Sequence, residues 1–319
     1  MGRIVPNALG KNGESYASTA EALTQNGLAW NVVKRPLFAR IPTGVDESGK
    51  ATGIFKRADN LFGIVREDTN ATLGAVSARY ECGPNLEAFG ILDVLAQDGQ
   101  VTLKGAGEFD GGARVWVQAA TTKPFTIGGE RIDHYVLAML AHDGKGSVRY
   151  WNMAMRFFCL NQLRAINSGA NEVNESYRHN SLLSQRIREA RELIRKVFAS
   201  QEQFKVTAES LLAATFSRAE MERLVQTILP APDSSNPLTT DRMIRAYEAR
   251  FETIMREAYG APDLNDVRYT KWGALNAVAD YEQHYVRVKG TAEQREQTLL
   301  KRTFDDGPLA RAAFGLLTA

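Results

Sequence analysis

"RIDHYVLAMLAHDGKGSVRYWNMAMRFFC", Arg131–Cys159, is the stretch that decides how this chain folds. Two runs rich in β-branched, aromatic and aliphatic residues, "RIDHYVLAMLA" and "SVRYWNMAMRFFC", flank "HDGKG". That order predicts a β-hairpin with a glycine-bearing turn. Side chains alternate along a strand, so Arg149 and Trp151 share one face of the second arm, and Tyr150, Asn152 and Arg156 share the other. Only one set can meet a partner, and the other packs inward or against a neighbour. The turn also crowds His142, Asp143 and Ser147 together. Residues so close in a tight turn rarely converge as nucleophile, base and orienter. With Gly144 and Gly146 for the bend and Lys145 for charge, it reads better as a tip than as an active site.

Working outward, the chain before this hairpin alternates short helices with strands. "STAEALTQNG" carries capping residues Ser18 and Thr19 and stops at Gly27. "LAWNVVKRPLFARI" has strand composition interrupted by Pro36, which suits an edge or a bulge, and "TGVDESGKATG" reads as a turn-rich loop. "LFGIVREDTNATLGAVSARYECG" predicts two strands joined at "EDTNAT". Leu86, Phe89, Leu92 and Leu95 then recur near helical period, with Gly99 beyond the end. "VTLKGAGEFDGGARVWVQAAT" predicts a second hairpin or bulge at "DGG", and "QLRAIN" a helix begun by Asn161.

After Gly169 the periodicity turns helical. "SLLSQRIREARELIRKVFASQEQF" forms a stripe of Leu183, Ile187, Ala190, Ile194 and Val197, with Arg188, Arg191 and Arg195 on another face. "SRAEMERLVQTIL" opens with the capping-box pair Ser217 and Glu220. "PAPDSSNP" is a linker, and Met243, Tyr247, Phe251 and Ile254 mark the next helix. "TKWGALNAVADYEQHYVRV" and "TAEQREQTLLKRTFDD" extend the helical tail. The expected fold class is α+β: a mixed core of β-hairpins and short helices over residues 1–169, then a helical region over 170–319 with its linker at about 230–238.

Composition narrows the function classes. A chain of 319 residues with 44% hydrophobic and 24% charged residues is a globular, soluble type. The first residues lack a signal-peptide core, no window approaches a spanning helix, and Pro6 stands where a myristoylation signal needs Ser or Thr, so an intracellular protein with no membrane role is expected. Cys82 and Cys159, far apart, suggest neither a disulfide scaffold nor a thiolate zinc site. His134, His142, His179 and His284 fall in no metal-ligand spacing, and the glycine-rich stretches match no P-loop or dinucleotide fingerprint. No cofactor, metal or catalytic residue is expected. An enzyme, nuclease-like, with a site near His142 and Asp143 is the alternative, and a structural or interaction protein a third.

Charge points elsewhere. The net charge is +2, yet His142 to Ser200 holds ten Lys or Arg against five acids, a local excess of +5. Such asymmetry fits a polyanion partner, and a solvated helix face is the competing explanation. Lys145, Arg149, Arg156 and Arg164 are the first candidates for phosphate contacts, with Lys34, Arg35, Lys56 and Arg57 as further ones. Tyr150 and Trp151 are the candidate stacking faces. No sequence-reading DNA motif is present, so salt-sensitive backbone binding is the form to expect.

"LAWNVVKRPLF", "LGAVSARYECGPNLEAFGILDVL", "GGARVWV", "AHDGKGSVRYWNMAMRFFCLNQL" and "KWGALNAVADYEQH", in that order, resemble the phage/plasmid-like protein family, a domain of unknown function carried by bacteriophages, prophages and plasmids. The chain departs from that pattern at "AMRFFCLNQLRAI", where members commonly have a Thr-Pro-Val-Arg run. The order of elements is also similar to the β-β-β-α core of single-strand annealing proteins. What this resemblance implies is a homo-oligomer, a ring or helical filament, that holds single-stranded DNA in a basic groove for recombination without nucleotide hydrolysis. A phage exonuclease or a host single-strand-binding protein would be its partners in the bacterial cytoplasm.

Overall fold

The computed structural model describes residues 15–45, 47–80, 82–143, 148–156, 174–177, 183–286, 288–291, 294–295, 298 and 307–319. The chain is α+β, with strands gathered in its first part and helices in its second. A first helix, α1 (Thr19–Gln25), is capped by the Ser18 side chain, which accepts from the Glu21 amide. Strands β1 (Val32–Val45), β2 (Ala51–Arg66) and β3 (Thr72–Ser77) form a three-stranded antiparallel sheet in the order β1-β2-β3. The turn-rich loop expected at "TGVDESGKATG" is strand for most of its length, because Thr43–Val45 and Ala51–Gly53 continue the β1–β2 ladder and leave only a short tip between them. β1 is an edge strand, as Pro36 suggested, and its pairing shifts between Pro36 and Phe38.

Two short helices follow, α2 (Asn85–Ala88) and α3 (Gly90–Gln97), where a single helix was expected. The larger sheet then runs β4 (Val101–Phe109), β5 (Arg114–Thr121), β7 (Glu130–Ala141), β8 (Val148–Arg156) and β9 (Asn174–Tyr177), with β6 (Phe125–Ile127) pairing β7. The hairpin of Arg131–Cys159 is therefore β7–β8, in register from Ile132↔Arg156 to Met139↔Arg149. The "DGG" turn holds Asp110, Gly111 and Gly112 at positive φ, a geometry glycine adopts at no steric cost. The helix expected at "QLRAIN" and the limit at residue 169 lie outside the described residues. The sheet continues beyond that limit, since β9 pairs β8.

Helix α4 (Leu183–Ala213) is the spine of the molecule. Its 31 residues span roughly 46 Å at 1.5 Å per residue. Ala190, Leu193 and Val197 pack with Val115, Val117, Val136, Ala138, Val148 and Tyr150 on one face of the large sheet, together with residues of α1 and α3. Further along, Phe204, Ala208 and Leu211 enter a second core with Ile127 and Ile132 of the sheet and the helices α5 (Arg218–Ile228), α6 (Asp241–Gly260), α7 (Lys271–Asp280) and α8 (Pro308–Thr318). One helix thus belongs to both cores, and the α+β and helical parts share it. The Leu183 and Ile187 side chains of the expected stripe lie outside the described residues.

Helix α7 is buried from Trp272 to Asp280 and sits at the centre of the helical core. The Ser217–Glu220 capping box opens α5 as expected. The stripe on α6 is buried only toward its end: Ile254 is fully covered, whereas Met243 is 49% exposed.

Candidate nucleic-acid interface

Because strand side chains alternate, the β7–β8 hairpin separates its polar candidates cleanly. Tyr150 is fully buried on the helix-covered face with Val148. This corrects its selection as a stacking face: the ring is core, and burial removes it from any ligand. Arg149 is exposed on the opposite face, where Trp151 is half-buried against Phe109, Trp116 and Leu137. Trp151 is thus largely a packing residue with one side near Arg149. The Arg156 backbone ends β8 opposite Ile132, seven residues and roughly 23 Å along the strand from Arg149. Lys145 and Arg164 lie outside the described residues.

The basic helix face is elsewhere. Arg188, Arg191 and Arg195 of α4 are exposed, and Lys196 pairs with Glu192 at 3.0 Å. Since α4 covers the face that holds Tyr150, these arginines and Arg149 stand on opposite sides of the sheet. Among the described residues, the cations of this stretch are divided between two surfaces.

The His142–Asp143 pair, read as a candidate active site, is split between two structural jobs. His142 is 1% exposed, its Nε2 lies 2.7 Å from Asn85 Oδ1, and its ring packs on Trp30 at 5.4 Å. Asn85 donates in turn to the Leu28 and Trp30 carbonyls, so this network ties the end of β7 to α2 and to the approach of β1. Asp143 turns the other way, to Arg114 at 3.6 Å. His134 is core: it is fully buried between Phe125 and Phe204, and burial pushes its pKa down to about 3, so its imidazole is neutral. Burial likewise pushes the Cys82 thiol up, with Lys34 drawing it partly back. Among the described residues no group of three or more His, Cys, Asp or Glu could hold a metal, and no helix is long and apolar enough to cross a membrane.

The candidates brought together are those on the small sheet. Beyond Leu61, where β3 ends its pairing, β1 and β2 continue alone as a two-stranded arm, with Phe38↔Arg57, Ala39↔Lys56, Arg40↔Phe55 and Ile41↔Ile54 opposite one another. At its base Leu37 alone faces Ala58–Leu61 across a bulge, with Asn60 at φ 60°. Both faces of the arm are open to solvent: Phe38 is 57% and Phe55 70% exposed, and Arg35, Arg40, Lys56 and Arg57 are exposed as well.

Alternation puts Phe38, Arg40, Phe55 and Arg57 on one face, in a checkerboard of rings and guanidinium groups. Arg40 crosses Gly53 and donates to the Ala51 carbonyl at 2.6 Å, which lays it flat along the ribbon. Arg57 and Lys34 both approach the Phe62 ring, at 5.9 and 5.7 Å, extending the alternation toward the sheet. Lys34 is held there by the Ala78 and Tyr80 carbonyls. The small sheet meets the start of the hairpin turn, because Gly74 of β3, opposite Ile64, approaches the Asp143 backbone so closely that a Cβ would come within 2.7 Å of it.

Phe38 and Phe55 do not stand out in the sequence. Their signal there is an aromatic within two positions of a cation in two segments 17 positions apart, and it emerges only once the register pairs Phe38 with Arg57 and Arg40 with Phe55.

Comparison with curated proteins and with solved structures gives no significant match. The profile of one family, described as a domain of unknown function (DUF932), matches residues 72–304. That segment begins at the first residue of β3, so α1 and both strands of the arm precede it. With well over half of its length matched, the chain belongs to the DUF932 family.

Proposed function

We propose that the chain is an oligomeric single-stranded DNA-binding and annealing protein of phage or plasmid origin, acting without nucleotide hydrolysis in the host cytoplasm. The observation that carries this reading is the solvent-exposed arm, on which Arg40, Lys56 and Arg57 stand with Phe38 and Phe55 and no covering element among the described residues. Cations that track a phosphate backbone beside rings on which bases can stack are the two ingredients of sequence-tolerant single-strand binding. Arg149 on one side of the large sheet and Arg188, Arg191 and Arg195 on the other add separate basic surfaces, which suits a protein that holds strands while copies of itself assemble along them. A phage exonuclease or a host single-strand-binding protein is the partner this role implies.

The test is annealing itself. Two complementary labelled oligonucleotides are mixed with the protein and without any nucleotide, while mass photometry follows its assembly state. The proposal expects faster pairing and a large assembly with single strands. Pairing no faster than in buffer, with the mass unchanged by DNA, would remove it.

A further inference from the structure

We infer that the β1–β2 arm is a base-stacking site for single-stranded nucleic acid, in which an unpaired base is taken up by Phe38 and Phe55 while Arg40 and Arg57 hold the flanking phosphates. This rests on the nucleic-acid reading above and names the residues that would carry it.

Phe38 and Phe55 are diagonal neighbours, each opposite the arginine that adjoins the other. Diagonal positions of an antiparallel pair lie about 7–8 Å apart. That is roughly twice the 3.4 Å step between stacked bases, so one base fits between the two rings. Bases in a duplex are already stacked, and only an unpaired base can enter. The cations are placed in advance: Arg40 by the Ala51 carbonyl, Arg57 by the Phe62 ring. Among the described residues, the acidic groups nearest this strip in sequence are Glu47 at the tip and Asp59 in the bulge at the base.

The competing occupant is a second copy adding a strand to the arm's edge. On the β1 edge Pro36 and Pro42 argue against it, because each removes a donor from β1, and on the β2 edge, left open where β3 stops, the charged Lys56, Arg57 and Asp59 disfavour strand addition. A two-stranded ribbon is marginal by itself in water, so a ligand that covers its aromatic face also steadies it.

The experiment compares the full chain with Phe38→Leu/Phe55→Leu and with Arg40→Gln/Arg57→Gln. Each binds a 2-aminopurine-labelled single strand and a duplex over a range of salt. The phenylalanines are exposed, so thermal melts of the leucine variant should match the parent. At saturation the inference expects quenched 2-aminopurine fluorescence with the parent and the glutamine variant but not with the leucine variant. It expects about a tenfold or greater loss of single-strand affinity in the leucine variant, with its salt slope and duplex binding unchanged. The glutamine variant should lose about 1.4 from the slope of log K against log salt.

A leucine variant that binds the single strand as tightly as the parent overturns the stacking site and leaves the single-strand reading standing. Equal losses on single strand and duplex, or a smaller assembly with unchanged affinity, also overturn it, the latter assigning the arm to a second copy. A parent that binds no single strand at low salt overturns both.

Discussion

The Arg66 guanidinium stands over the Trp30 ring, 4.1 Å from its centre, and joins the small sheet to the large one. It also bonds Asp68 at 2.7 Å, Glu108 at 3.1 Å and the Gly111 carbonyl at 3.0 Å, while the Trp30 indole donates to Glu108. Asp68 and Glu108 raise the pKa of a side chain that is itself 8% exposed. Arg66→Ala therefore leaves Glu108 and the Gly111 carbonyl short of a donor and uncovers the indole. We expect about 2–4 kcal/mol of lost stability, measured as a shift of the urea midpoint. A shift within about 0.5 kcal/mol, the range of an ordinary surface substitution, would mean the two sheets are held by other contacts.

Gly112 belongs to the same junction. Its φ is 99°, and a Cβ there would come within 2.7 Å of the Trp30 ring and 2.8 Å of the Arg66 guanidinium. Gly112→Ala should destabilise by about 2 kcal/mol or more, combining backbone strain with displacement of the stacked pair. Gly99, also at positive φ but with nothing within 4 Å of where a Cβ would stand, supplies the control. Gly99→Ala should cost only the strain, and equal costs at both positions would contradict the junction's role.

His134 makes the fold acid-sensitive. Burial lowers its folded pKa to about 3, whereas an unfolded histidine titrates near 6.5. Between these values the unfolded chain binds a proton that the folded chain refuses, so stability falls as pH falls through that window. The contribution is up to about 1.4 kcal/mol per pH unit and vanishes above the unfolded value. In denaturant titrations from pH 7 to pH 4, His134→Phe should lose less stability than the parent. Parallel curves would show that His134 does not titrate on unfolding.

The Glu282 carboxylate caps the N-terminus of the last helix, whose other end is held by the core and by Lys271, which donates to the Leu317 carbonyl. Glu282 accepts from the Leu309 and Ala310 amides at 3.1 and 2.9 Å, at the positive end of α8. Glu282→Ala should cost about 1–2 kcal/mol and speed hydrogen exchange in α8 ahead of the rest of the chain. Uniform exchange changes would contradict a local cap.

Much of the fold was legible because local signals agreed with it. The Ser18 and Ser217 caps, the "DGG" turn and the β7–β8 hairpin all stand where their residues placed them. The length of the β1–β2 ladder was not legible, since Gly44, Gly49 and Gly53 look like loop and only pairing with the facing strand keeps Gly44 and Gly53 extended. The division of the large sheet's faces was legible as an alternation, but which face lay inward depended on where α4 packs. That packing buried Tyr150 and left Arg149 exposed. The phosphate candidates Lys34, Arg35, Lys56 and Arg57 were visible as basic spots. The union of Arg57 and Arg40 with Phe38 and Phe55 into one strip, and the placing of Lys56 on the opposite face, are properties of register alone.

The most direct measurement is fluorescence anisotropy of a labelled single-stranded oligonucleotide titrated with the full chain, repeated across a series of salt concentrations. Single-strand binding through this arm and its neighbouring cations predicts saturable binding at low salt that weakens linearly in log K against log salt, by about 0.7 per phosphate contacted. No binding by micromolar protein at low salt, or an affinity indifferent to salt, would contradict it.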